Sequence, residues 1–107
     1  MVKLIYCICR KPGRTREEFI RYWADVHGAL GARIPGLRKL VQSYALPVPD
    51  DSRPADFDGM AELWFDDLAT LSEARRSAEW AAATADEANF LDPSRSAYFI
   101  SEERQIL

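Results

Sequence analysis

Residues 2–10 read Val-Lys-Leu-Ile-Tyr-Cys-Ile-Cys-Arg. β-Branched and aromatic residues run without a breaker until Pro12, which predicts a strand from Val2 to Arg10. Val2, Leu4, Tyr6 and Ile8 share one face; Ile5, Cys7 and Cys9 share the other. Both faces are apolar, so the strand needs cover on both sides. Gly59 to Asp66 has the same character, with Met60, Glu62 and Trp64 set against Ala61, Leu63 and Phe65.

Between these strands lies a helix. Thr15 and Glu18 make a capping box after the Lys11-Pro12-Gly13 turn. Phe19, Ile20, Trp23, Val26, His27 and Leu30 recur at helical spacing and predict one core-facing stripe. Gly28 and Gly31 weaken that helix, and Pro35-Gly36 ends it. Leu37 to Leu46 reads as a second strand. Pro47 to Asp58, with three prolines and four aspartates, is a loop long enough to form a lid. After Asp67 comes a second helical region. It is interrupted near Ser77 and Ala78, is alanine-rich from Trp80 to Leu91, and is stopped by Asp92-Pro93. Ala97 to Ser101 is a fourth strand.

The order β-α-β-β-α-β over residues 1–107 predicts one α+β domain of ferredoxin-like, two-layer type. Two helices cover one face of a four-stranded sheet. The other face is expected to meet a second copy, giving a two-fold homodimer. Roughly 600 Å² of apolar area is worth about 15 kcal/mol before association costs, so leaving it wet is implausible.

Composition narrows the function. The 107 residues are 48% hydrophobic and 29% charged, a globular balance rather than a disordered one. No apolar run approaches the roughly 18 residues a membrane span needs, and no secretory signal is read, so a cytoplasmic protein is expected. Cys7 and Cys9 are then expected as reduced thiols. The net charge of −3 argues against nucleic acid, and Gly59 to Asp66 lacks the pattern of an RNA-reading strand. Residues 1–44 carry 9 basic and 3 acidic side chains, whereas the remainder carries 5 and 14. Such halves either attract one another on packing or form two solvated faces.

Catalytic equipment is thin. One histidine and two cysteines build no Cys2His2 zinc site, and no metal is expected. There is no nucleophile elbow, dinucleotide fingerprint or phosphate loop. His27, beside Trp23, is the leading candidate for proton transfer; the alternative is an imidazole anchored to a backbone carbonyl. Tyr6, Trp23, Trp64 and Phe90 are candidates to line a pocket for a flat apolar ligand, or to pack as core. Tyr44 with Gln42 is a polar pair on one strand face, and Asp86 shares a helical face with Phe90. Glu62 either faces the pocket, where it can pair with His27, or the dimer interface, where Arg38 or Lys39 can meet it. Arg10, Lys11, Arg14 and Arg16 form a basic cluster that is either an anion site or a solvated turn.

Phe19-x-x-Tyr22-Trp23-x-x-x-His27-Gly28-x-Leu30, followed by Ile34-Pro35-Gly36-Leu37, resembles the EthD family. Asp58 to Phe65 and Asp86-x-x-Asn89-Phe90-x-Asp92 extend the resemblance over nearly the whole chain. Ala29 departs from it, standing where relatives often carry proline. The resemblance implies a dimeric α+β barrel, with His27 as the pocket residue and Tyr22 and Trp23 as its neighbours. It also implies a place in the breakdown of ethers and other organic compounds. Related barrels include monooxygenases without a cofactor, polyketide cyclases and a lactone isomerase. The expectation is therefore a small catabolic enzyme, of oxidoreductase or isomerase type and without a bound cofactor, acting on an apolar or aromatic molecule. The alternatives are a non-catalytic accessory protein that holds such a molecule, and a haem protein with His27 as axial ligand.

Overall fold

A computed structural model describes residues 1–107. Strands β1 (Val2–Ile8), β2 (Lys39–Tyr44), β3 (Gly59–Phe65) and β4 (Ala97–Glu102) form one antiparallel sheet in the order β2-β3-β1-β4. This is the ferredoxin-like order, with β1 and β3 at the centre. The register sets Leu4 against Leu63 and Tyr6 against Ala61, and on the other side Leu4 against Ile100 and Tyr6 against Tyr98.

The helices cover the face of Leu4, Ile8, Ala61, Leu63 and Phe65. The first begins as α1 (Arg16–Tyr22), where Thr15 and Glu18 cap each other reciprocally. It passes through a π-helical turn, Trp23–His27, into α2 (Gly28–Gly31). The second region is split. α3 (Leu68–Ala74) is capped by Asp67, α4 (Ala78–Asp86) is capped by Ser77, and a 3₁₀ turn, Glu87–Asn89, follows. Gly36 turns the chain into β2 at φ +80°, a conformation that costs a side-chain-bearing residue far more than glycine. No helix is long and apolar enough to cross a membrane.

The opposite sheet face carries Ile5, Cys7, Val41, Met60 and Phe99, the last 55% exposed. Its far end is polar. Glu62 pairs with Lys3 at 2.7 Å, and Lys3 and Lys39 lie over the Trp64 ring at 4.9 and 4.8 Å. Glu103, from the chain's end, accepts the Trp64 indole N–H at 2.9 Å. The three Lys and Arg ion pairs each join a basic group of residues 1–44 to an acid of the remainder. The uneven charge of the two halves thus serves contacts within the subunit.

The long loop is tethered rather than free at its ends. The Arg10 amide donates to Asp58 at 2.7 Å, the Cys9 thiol donates to the Asp56 carbonyl at 3.3 Å, and the Ala45 amide donates to the Asp58 carbonyl at 2.9 Å.

Candidate functional site

The π-helical turn builds the site. Its extra residue carries the Gly28 amide back to the Trp23 carbonyl, and Gln42 of β2 donates to the same oxygen at 2.9 Å. Such insertions re-aim side chains and concentrate at functional positions. Here Val26, predicted on the buried stripe, turns out to 45% exposure, while His27 faces inward. Gly28 and Gly31, read as weak points, are close-approach positions. A Cβ at Gly28 would lie 3.3 Å from Gln42, and one at Gly31 would lie 3.3 Å from Leu40.

Trp23 and Phe90 pack with Phe19, Tyr22 and Tyr44 into an aromatic wall, and the His27 ring lies 4.6 Å from that of Phe90. His27 Nδ1 meets Asp86 Oδ2 at 2.9 Å. Asp86 Oδ1 accepts from the Tyr22 hydroxyl at 2.5 Å and from Asn89 at 3.0 Å. Burial alone would push the Asp86 carboxyl up. The hydrogen bonds from Tyr22, Asn89 and His27 outweigh it and hold the group below its ordinary range. An ionised carboxylate only accepts, so the proton sits on Nδ1. That leaves Nε2 free to take a proton, the orienting logic of histidine–carboxylate pairs.

His27 opens onto a cavity of about 220 Å³ between the helices and the sheet. For scale, a dry cavity of about 150 Å³ holds benzene, so this one has room for two fused rings. Leu4, Ile34, Leu40, Leu63, Trp80 and Leu91 make most of its wall apolar. Tyr6, Trp23 and Phe90, all sequence candidates, line it with His27. Asp86 stands behind His27 rather than in the cavity. Tyr44 also lies outside it, donating to Gln42 at 2.8 Å, and Gln42 is the member of that pair that reaches the lining.

Two candidates are corrected. The register of β3 sends Glu62 and Trp64 to the opposite sheet face, where Lys3 and Glu103 engage them. An apolar residue on each side of the strand hid which face was which. The Arg10–Arg16 cluster is dispersed among separate partners: Arg14 donates to the Asn89 carbonyl at 2.6 Å and Arg16 to that of Ala45 at 2.8 Å.

The structure adds Glu87, Arg75, Thr84 and Tyr98 to the lining. Trp80, Ala83, Thr84, Glu87 and Leu91 recur at helical spacing, the signal that could have found Glu87. Burial is the main cause that raises the Glu87 carboxyl to about 6, and burial likewise pushes the Tyr6 hydroxyl to about 12. Burial penalises ionised Glu87, so the folded state loses stability as pH rises from the ordinary carboxylate value through about 6. Glu87→Gln is expected to raise the melting temperature at pH well above that value and to leave it nearly unchanged in acid. Scanning calorimetry across that range measures the difference.

The chain is thus an α+β protein of ferredoxin-like fold with a histidine–aspartate pair on an interlayer cavity. Within that fold it belongs to the EthD family: the EthD domain model matches residues 11–94. An EthD (ethyl tert-butyl ether D) family protein from Bacillus halodurans is 29% identical in sequence. The match covers 97% of this chain and 99% of that one, with a TM-score of 0.81. SnoaB from Streptomyces nogalater, a cofactor-independent oxygenase, shares the fold at 17% identity and a TM-score of 0.66, with 99% and 95% covered. A dimeric ferredoxin-like protein from Thermobifida fusca shares it at 15% identity and a TM-score of 0.70, with 94% and 88% covered. No curated protein matches the sequence.

Proposed function

We propose that this protein binds a flat, apolar or aromatic molecule of up to two fused rings in the interlayer cavity, and that His27 takes a proton from it. The observation that carries the reading is the 2.9 Å contact between His27 Nδ1 and Asp86, at the wall of a largely apolar chamber. Proton transfer to Nε2 creates an imidazolium, which the Asp86 carboxylate stabilises. The bound anion is delocalised over its aromatic frame, so the apolar wall does not have to solvate a localised charge. This chemistry asks for no resident cofactor. It fits a family whose name refers to ethyl tert-butyl ether and a fold shared with a cofactor-independent oxygenase. Trp23 and Trp80 line the chamber, so ligand entry is read directly by quenching of their fluorescence. Quenching accompanied by turnover supports the enzyme. Quenching without turnover by the purified protein supports the accessory reading instead. Free Cys7 and Cys9 suit the reducing cytoplasm.

The same reading includes a homodimer. The apolar outer face of Ile5, Val41, Met60 and Phe99 has no helix over it, and a second copy is the economical cover. Light scattering is expected to return twice the 12.2 kDa chain mass. Phe99→Glu places a charge on that face and is expected to shift the mass toward the monomer. A wild-type mass of one chain overturns the dimer.

A further inference from the structure

Asp86 and Glu87 are adjacent in sequence and have opposite surroundings. Asp86 is engaged by three donors and backs His27. Glu87 lines the cavity, and no cation pairs with its carboxyl. Tyr6 stands beside it and draws its carboxyl down, against the stronger upward push of burial. Proton transfer to His27 does not by itself use Glu87.

We propose that Glu87 is the second proton-handling group of this cavity, donating to the carbonyl oxygen of an aryl ketone whose adjacent C–H gives its proton to His27. The inference rests on the His27 reading and narrows its ligand class. An apolar chamber with one base and one carboxylic acid suits a molecule that has an acidic C–H next to an oxygen acceptor. In the step, Nε2 takes the proton and the C–H pair becomes the C=C of an enol. The carbonyl π pair moves to oxygen, and that oxygen receives the Glu87 proton. Ketone and enol are isomers, so no oxidant is consumed. Reversal, after His27 exchanges its proton with solvent, returns the ketone labelled by that solvent.

The environment supports the assignment. Burial raises the Glu87 carboxyl to about 6, so an acid form persists near neutrality where Asp86 has none. Environments that push two carboxyls apart in this way mark acid and base roles. The titratable or charged groups around the chamber are Tyr6 of β1, Tyr98 of β4, His27 of the π turn, and Arg75 just after α3. Asp86 adds its charge from Glu87's own segment. Arg75 lies toward the surface, its guanidinium reaching the Tyr98 hydroxyl at 3.4 Å.

The test uses α-tetralone, a bicyclic aryl ketone, with the full-length protein in heavy water. Loss of the α C–H signal is followed by NMR, and binding is followed by tryptophan quenching. Wild type is expected to accelerate exchange, with a rate that falls as pH rises through about 6. Glu87→Gln, which keeps the shape and the hydrogen-bond donor, is expected to bind normally, to lose that limb of the pH profile and to exchange about tenfold slower or worse. Glu87→Ala is expected to weaken binding as well. If both variants match wild type in rate and pH profile while His27→Ala is inactive, Glu87 has no such role and the His27 reading stands. If His27→Ala exchanges as fast as wild type, the His27 reading fails. Absence of both quenching and exchange in wild type overturns the ketone assignment.

Discussion

His27→Ala is expected to lower turnover of the proposed proton-transfer reaction by about 10²- to 10⁴-fold, the range a positioned acid–base group supplies. The fold should survive, because the ring lies at a cavity wall and its one side-chain hydrogen bond is to Asp86. Circular dichroism and the melting temperature provide that control. Asp86→Asn is the sharper variant. An amide N–H₂ can donate to Nδ1 and drive the imidazole proton onto Nε2, the wrong tautomer for a base facing the cavity. It should cost about 10²-fold or more while ligand binding stays near wild type, so the loss falls on kcat rather than KM. Tyr22→Phe removes only one of the three donors to Asp86 and should cost less than about tenfold. Full turnover in His27→Ala removes the imidazole from the chemistry.

The sequence made some of this arrangement legible and hid the rest for definable reasons. Strand β1, apolar on both faces, announced a sheet that its own helices cannot cover. Thr15 with Glu18, and Asp67 before Leu68, marked helix starts that the structure caps as expected. The π turn was not legible. Its cause is tertiary, the seating of Gln42 on the Trp23 carbonyl and of Gly28 and Gly31 against β2, and a helical stripe drawn at constant period cannot contain it. It therefore misplaced Val26 while placing His27 on the correct side. Glu62 and Trp64 could not be oriented for another reason. A period of two fixes which residues share a face, but in β3 both faces are apolar, so pattern alone cannot say which face meets the helices. Asp86 was visible as a candidate through its spacing to Phe90. Its task, and the divergence of Glu87 next to it, depend on a helix end that changes from α to 3₁₀ between them.

Gly59→Ala is expected to destabilise the fold by about 3 kcal/mol, at the severe end of overpacking costs. A Cβ there would stand 2.5 Å from Trp23 Cζ3 and 2.6 Å from the Ser43 carbonyl oxygen. Neither neighbour yields easily. The Ser43 carbonyl belongs to β2, whose ladder to β3 pairs Tyr44 with Gly59. Trp23 is 2% exposed and is held by Phe19 and Tyr44, each at 5.4 Å between ring centroids. For a domain of this size the loss corresponds to a melting temperature lower by roughly 12–20 °C. Gly31→Ala is the control. There the closest atom is the far end of the Leu40 side chain at 3.3 Å, and alanine gains helix propensity, so the change should stay within about 1 kcal/mol. The indole is the object that collides, so Trp23→Phe should cost less in the Gly59→Ala background than in wild type. A cycle over the two positions is then expected to show coupling of more than about 0.5 kcal/mol. Trp23 also walls the cavity, so Gly59→Ala should loosen ligand binding even at temperatures where the variant stays folded. Wild-type melting in Gly59→Ala would mean that β3 can move off the π turn, and that this packing does not fix the position of His27.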